Sequence, residues 1–136
     1  MLDHTDKRIL EELSHNSRLT MKELGAKVHL TGPAVSARVL KLEDEGIIEG
    51  YSIKVNQEKL GFTVHAFITI ITKTPQHAPY LAFIKTQEEH ILHNYKISGE
   101  GCYLLECKFA SNEALNTFLN ALNDHANYKL QIVIGK

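Results

Sequence analysis

The stretch that most constrains this chain is residues 20–46, TMKELGAKVHLTGPAVSARVLKLEDEG. Thr20 and Glu23 have the spacing of a capping box, in which the hydroxyl and the carboxylate each accept the other residue's backbone N–H. Met21, Leu24 and Val28 follow at i, i+3 and i+7, the apolar stripe of a short helix. A turn through His29-Leu30 is expected next. Thr31 then reads as the N-cap of a second helix, with Pro33 in its first turn, where a missing N–H costs nothing. Val35, Val39 and Leu42 point one way, and Gly46 suits the left-handed position past the helix end. Two helices so joined match a helix-turn-helix, whose second helix, here 31–45, enters a major groove.

A bare αα-hairpin is the competing reading, and charge argues against it. The exposed face of the second helix is expected to offer Gly32, Ser36, Ala37, Arg38 and Lys41. From Arg18 to Lys41 the bases are Arg18, Lys22, Lys27, Arg38 and Lys41, opposed only by Glu23. A local cationic surplus suits phosphate. Arg38 is expected to contact DNA, its alternative use being a bridge to Glu43 or Glu45. Thr31 caps, while the N–H groups around Gly32 and Pro33 stand where phosphate can approach a helix start. Arg18, Lys22 and Lys41 read as backbone-positioning charges.

The net charge of −1 does not by itself announce nucleic acid. Residues 1–50 hold seven basic and nine acidic side chains, but the acids cluster at Glu11-Glu12 and Glu43-Asp44-Glu45, away from the proposed groove face. With no basic-then-apolar leader and no apolar run of spanning length, a cytoplasmic chain without membrane contact is expected. Cys102 and Cys107, the only cysteines, stand five apart on an expected strand and cannot bridge locally; both read as buried small hydrophobes. His90 and His93 would point to opposite faces of a strand, so no metal site is expected, and no cofactor motif is present.

Before the helix pair, Asp3 reads as an N-cap and Ile9, Leu10 and Leu13 as an apolar face, completing a three-helix unit. Tyr51–Val55 alternates as a half-buried strand does, and a strand from a second subunit is an economical partner. Beyond Leu60-Gly61 the period becomes two. Residues 63–73 form a long strand, and Tyr80, Phe83 and Ile84 a helix face behind Pro79. Ile91, His93, Tyr95 and Ile97 alternate, and Ser98–Gly101 is a hairpin-length turn. Tyr103, Leu105, Cys107 and Phe109 share a strand face. Ser111 caps a helix carrying Leu115, Phe118, Leu119 and Leu122, and Tyr128, Leu130, Ile132 and Ile134 make a last strand. The fold class is α+β. A winged-helix-like helix-turn-helix domain (1–50) and a connecting strand (51–61) precede a ferredoxin-like βαββαβ domain (62–136). One sheet face is expected to be bare, with Val, Ile and Phe side chains, unless subunits pair.

Both halves resemble the Lrp/AsnC, or feast/famine, transcription regulators, and the resemblance covers nearly the whole chain. It is carried by Leu2-Asp3, Asp6, Ile9-Leu10, Asn16-x-Arg18, Leu24, Leu30-Thr31-x-Pro33, Val35, Arg38, Leu42-Glu43 and Gly46-Ile47-Ile48-x-Gly50-Tyr51. Leu60-Gly61 and Ser98-Gly99…Tyr103-Leu104-Leu105 carry it in the second half. The resemblance implies nucleoid-associated regulators built as homodimers through the sheet domain, often assembled to octamers. It also implies small molecules, commonly amino acids, bound between dimers. It places an effector loop at Gly99, Glu100, Gly101, Cys102 and Tyr103. Family members often carry an acid just before that tyrosine, where this chain has Cys102, so amino-acid sensing is expected to be weak.

Three functions follow as expectations: a sequence-selective transcription regulator, an architectural protein that bends or wraps DNA, and an enzyme, since siroheme decarboxylases look like the same two-domain family. The last is the weakest, because nothing in residues 60–136 forms an obvious basic pocket for a tetrapyrrole. With only small groups and two cations on the second helix, direct base readout is expected to be weak and DNA bendability important.

Overall fold

The computed structural model describes residues 1–136, which divide into two compact units, Met1–Lys54 and Val55–Lys136. The first is three helices: α1 (His4–His15), α2 (Met21–Val28) and α3 (Gly32–Asp44). α1 starts at Asp3, whose carboxylate accepts from the Asp6 N–H at 2.8 Å while the Asp6 carboxylate accepts from the Asp3 N–H at 3.2 Å. This second capping box escapes sequence reading because aspartate replaces the usual Glu or Gln. Ile9, Leu13, Leu24, Val28, Val35, Val39 and Leu42 form the core, with Leu10, Met21 and Ile48 against it. Helices of 8 to 13 residues are marginal alone, so this shared burial holds them.

The second unit contains β1 (Val64–Thr72), α4 (Ala78–Lys85), β2 (Ile91–Lys96), β3 (Tyr103–Phe109), α5 (Asn112–Leu122) and β4 (Ala126–Ile132). The sheet is antiparallel throughout, in the order β2-β3-β1-β4, as the split-βαβ layout requires. Ala66, Ile68 and Ile70 of β1 and Tyr103, Leu105, Cys107 and Phe109 of β3 share one core with Tyr80 and Ile84 of α4 and Leu115, Phe118, Leu119 and Leu122 of α5. Both helices therefore cover one sheet face.

Four expectations change. The open face is mixed rather than a Val/Ile/Phe surface: β1 presents His65, Phe67, Thr69 and Ile71 there, and β3 Leu104, Glu106 and Lys108. A nearly continuous apolar run does not reveal its own phase, which only the register fixes. In β2 a bulge at Leu92 shifts the alternation, so Ile91 and Asn94, not His93 and Tyr95, pair with the inward residues Cys107 and Leu105. β4 stops at Ile132, leaving Ile134 outside the ladder and fully exposed. Finally, Tyr51–Val55 pairs with no strand of its own chain, and Ile53 is 84% exposed. A strand exists only by virtue of its partner.

Candidate nucleic-acid interface and effector loop

The helix pair is built as its sequence demands. Thr20 Oγ1 accepts from the Glu23 N–H at 3.1 Å, and Glu23 Oε1 from the Thr20 N–H at 3.0 Å. These bonds to Thr20 hold the Glu23 carboxyl below its ordinary range. His29 closes α2 in the left-handed conformation, with φ 62° and ψ 40°. Its N–H and that of Leu30 both donate to the Gly25 carbonyl, the latter at 2.8 Å. Gly25 is buried so tightly in this turn that a Cβ would stand 2.5 Å from the Leu30 carbonyl oxygen. Only glycine permits the approach. The sequence signal was there, an isolated glycine inside a helical pattern.

Thr31 Oγ1 then accepts from the Ala34 N–H at 3.3 Å and starts α3, with Gly32 and Pro33 in the first turn. Gly32 lies against the backbone of Lys22, which places the start of α2 beside the start of α3. With Val35, Val39 and Leu42 inward, α3 exposes Pro33, Ala34, Ser36, Ala37, Leu40 and Lys41, and at its C-terminal end the acids Glu43 and Asp44. Leu40 was absent from the sequence-derived face, yet it is 58% exposed.

Arg38 is half-buried at the flank of α3. Its Nη1 donates to Asp3 Oδ2 at 2.7 Å and to Asp6 Oδ1 at 3.1 Å. The hydrogen bonds to Asp3 and then Asp6 raise the guanidinium pKa further, and Arg38 in turn holds the Asp3 carboxyl below its usual range. The intramolecular alternative expected for Arg38, a bridge to Glu43 or Glu45, is not the one used. Glu43 accepts from the Tyr51 hydroxyl at 3.1 Å, and Glu45 lies 3.9 Å from Lys41. Two of the candidate cations are thus engaged by carboxylates, Arg38 closely and Lys41 loosely. Arg18, Lys22 and Lys27 are exposed and have no ion-pair partner.

The loop before β3 depends on two glycines in the left-handed region, Gly99 (φ 113°) and Gly101 (φ 94°). A Cβ on Gly101 would lie 2.6 Å from Thr69 Cγ2 and 3.0 Å from the Ile70 carbonyl oxygen. That close approach lets the Cys102 N–H donate to Ile70 at 2.7 Å. Cys102 is half-buried rather than buried, because it precedes the strand. Its Sγ lies 3.4 Å from Thr72 Oγ1, and hydrogen bonding to Thr72 lowers the thiol pKa. Burial instead pushes Cys107 up to about 12. Glu100 forms an exposed ion pair with Lys129. The Tyr103 ring is buried against Tyr80, and its hydroxyl lies 3.0 Å from His77 Nδ1. Of the five loop positions, Gly99 and Glu100 are the most open to solvent.

On the open sheet face, Glu106 joins two imidazoles that sequence spacing did not connect. His65 Nε2 lies 2.6 Å from one carboxylate oxygen and His93 Nδ1 2.9 Å from the other. Burial alone would raise the Glu106 pKa, but these bonds outweigh it and the net direction is downward. His90 lies on the covered side, stacked on Phe109.

No helix is long and apolar enough to cross a membrane. The winged helix-turn-helix DNA-binding family matches residues 2–49. The HTH-type transcriptional regulator LrpA of Bacillus subtilis is 65% identical over 136 residues, all of both chains. Among solved structures, B. subtilis LrpC superposes with a TM-score of 0.94 at 35% identity, covering 100% of this chain and 96% of that one. The Neisseria meningitidis regulator NMB0573, solved as a complex with L-Met, gives 0.91 at 27% identity, covering 100% and 92%. With full-length identity at this level and the helix-turn-helix and split-βαβ units both in place, the chain belongs to the Lrp/AsnC family of HTH-type transcriptional regulators.

Proposed function

We propose that this regulator acts in the cytoplasm, nucleoid-associated, rather than as an enzyme, and binds duplex DNA through α3 as a homodimer or octamer. The observation that carries this reading is the cationic margin of the helix pair. Arg18, Lys22 and Lys27 are exposed without carboxylate partners, and Lys22 stands beside the first turn of α3, where phosphate also meets free N–H groups. Thr31, Gly32, Pro33, Ser36 and Ala37 form the approach surface, Lys41 adds backbone charge, and Arg38 reaches DNA only by exchanging its carboxylates for phosphate. Self-association through the open sheet face is supported by Phe67, Ile71 and Leu104, and by the unpaired Tyr51–Val55 segment.

Few side chains here make bidentate base contacts, so much of the affinity comes from phosphate and from how readily the duplex bends. The test is competition between a phased A-tract duplex and a straight duplex of equal composition across a salt series. The curved duplex should win, with affinity falling steeply as salt rises. Equal affinity for both, with sharp loss on single base changes in a defined site, overturns the bending part. No retardation of either overturns the DNA reading.

A second reading concerns the loop Gly99–Tyr103. The L-Met complex of NMB0573 supports an amino-acid effector. In this chain Cys102 supplies a thiol where an acid would meet the ammonium group. Glu100 is the only carboxylate of the loop, so an effector reaches it by displacing Lys129.

A further inference from the structure

Glu106 stands at the middle of β3 on the open sheet face, with an imidazole reaching it from each neighbouring strand. His93 of β2 is its register partner, and His65 of β1 lies one same-face position from its other partner, Phe67. The two carboxylate oxygens are used separately, Oε2 by His65 Nε2 and Oε1 by His93 Nδ1. An ionised carboxylate only accepts, so it keeps a hydrogen on each of those nitrogens. His65 Nδ1 and His93 Nε2 are left with free lone pairs and no partner in the chain. The cluster is set among aromatic rings, His65 against Phe67 and His93 stacked on Tyr95, with centroids 5.4 and 5.5 Å apart. The Glu106 side chain is only 19% exposed before anything covers the face. Neither the helix-turn-helix unit nor the effector loop uses these three residues.

The remaining charges of the face offset one another. Lys108 of β3 is opposite His65, its Nζ donating to Gln57 Oε1 at 3.1 Å and lying over the Phe62 ring. Lys129 of β4 is paired with Glu100. β1 adds no charged group besides His65, and β2 adds only the Tyr95 phenol. With both imidazoles neutral, Glu106 and Glu100 balance Lys108 and Lys129, and the face has no net charge. Histidine is the ordinary side chain whose charge changes between about pH 5 and 8. Protonation of both rings therefore turns a neutral face cationic, and an isologous interface sets a patch against itself. Like charges brought together in this way oppose association.

We propose that His65 and His93, held on Glu106, make self-association through this face pH-sensitive: neutral rings admit a second copy of the chain and protonated rings repel it. This inference rests on the reading that subunits pair through the open face. The separated face binds protons more readily than the paired one, so separation is favoured as pH falls. The number of helix-turn-helix units presented together to DNA falls with it.

The test is a dilution series of the full-length protein followed by light scattering between about pH 7.5 and about pH 5.5. Wild type should lose at least about tenfold in dimer affinity across that range. His65→Gln and His93→Gln should each show a shallower dependence, and the two combined none, because the glutamine amide still donates to Glu106 but does not titrate. Each single variant keeps one imidazole on Glu106, so the slope is read even where the double variant fails to fold. Wild-type affinity that is flat, or that rises towards acid, overturns the switch. Variants as steep as wild type overturn it equally, while leaving pairing intact. A monomer at every pH overturns the pairing reading and the switch with it.

Discussion

Arg38 and Asp3, thirty-five positions apart in sequence, are joined by a 2.7 Å ion pair that ties the proposed groove helix to the first turn of α1. Asp6 shares the same nitrogen at 3.1 Å. Arg38 therefore has two separable uses, holding α3 and meeting phosphate. Arg38→Ala should weaken DNA binding on the order of tenfold without changing the oligomer. The pair Asp3→Asn and Asp6→Asn separates the uses, since Asn still caps a helix. If Arg38 meets phosphate, freeing it should tighten binding. If it only holds α3, the double variant should weaken binding as Arg38→Ala does. Normal binding by Arg38→Ala removes it from the interface.

Acid should loosen the helix-turn-helix unit through two carboxylates. Asp3 and Glu23 are both held below their ordinary values, Asp3 chiefly by the hydrogen bond from Arg38 and Glu23 by the backbone N–H of Thr20. A depressed folded value means the contribution is fully present above the unfolded pKa. It is then lost as pH falls through the folded one. Thermal melts between about pH 5 and pH 2 should show wild type losing stability faster than Asp3→Asn combined with Glu23→Gln. Parallel curves would show that these groups do not titrate with folding.

Gly25 and His29 offer opposite effects within one turn. Gly25→Ala forces a methyl against the Leu30 carbonyl and should destabilise by about 1–3 kcal/mol. His29→Gly relieves a side chain from the left-handed region and should gain up to about 1 kcal/mol, less the added freedom of the unfolded chain. Denaturant melts of both variants check the signs. A neutral Gly25→Ala would mean that the two helices separate without cost.

In solution the protein should be a dimer or a higher even multiple. The open face carries Phe67, Ile71 and Leu104, and the extended segment exposes Tyr51 and Ile53. Light scattering at micromolar concentration reads the mass directly. A single 15.3 kDa species would rule out assembly through these surfaces.

Effector binding should be limited by competition inside the loop. Titration calorimetry with L-methionine should show weak binding to wild type and several-fold tighter binding to Lys129→Ala, which frees Glu100. Glu100→Gln should abolish it. Tight binding to wild type, unaffected by either substitution, would place the ammonium contact elsewhere.

Much of this molecule is legible in one dimension because its causes are local. Thr20 with Glu23, Thr31 with Pro33, and the apolar spacing of Leu24, Val28, Val35, Val39 and Leu42 fix the helix pair through hydrogen bonds and periodicity within a few residues. The same holds for the inward face of β3 and the stripe on α5. What tertiary structure decided involves residues far apart in sequence. Arg38 takes Asp3 and Asp6 because folding brings the start of α1 to α3, while its sequence neighbours Glu43 and Glu45 find Tyr51 and Lys41. Glu106 gathers His65 and His93 because β3 lies between β1 and β2. The phase of β1 and the bulge in β2 are set by register, which a run of apolar residues leaves open. The packing of α3, with Val39 turned inward and Leu40 outward, likewise decided which of its apolar side chains stays in solvent.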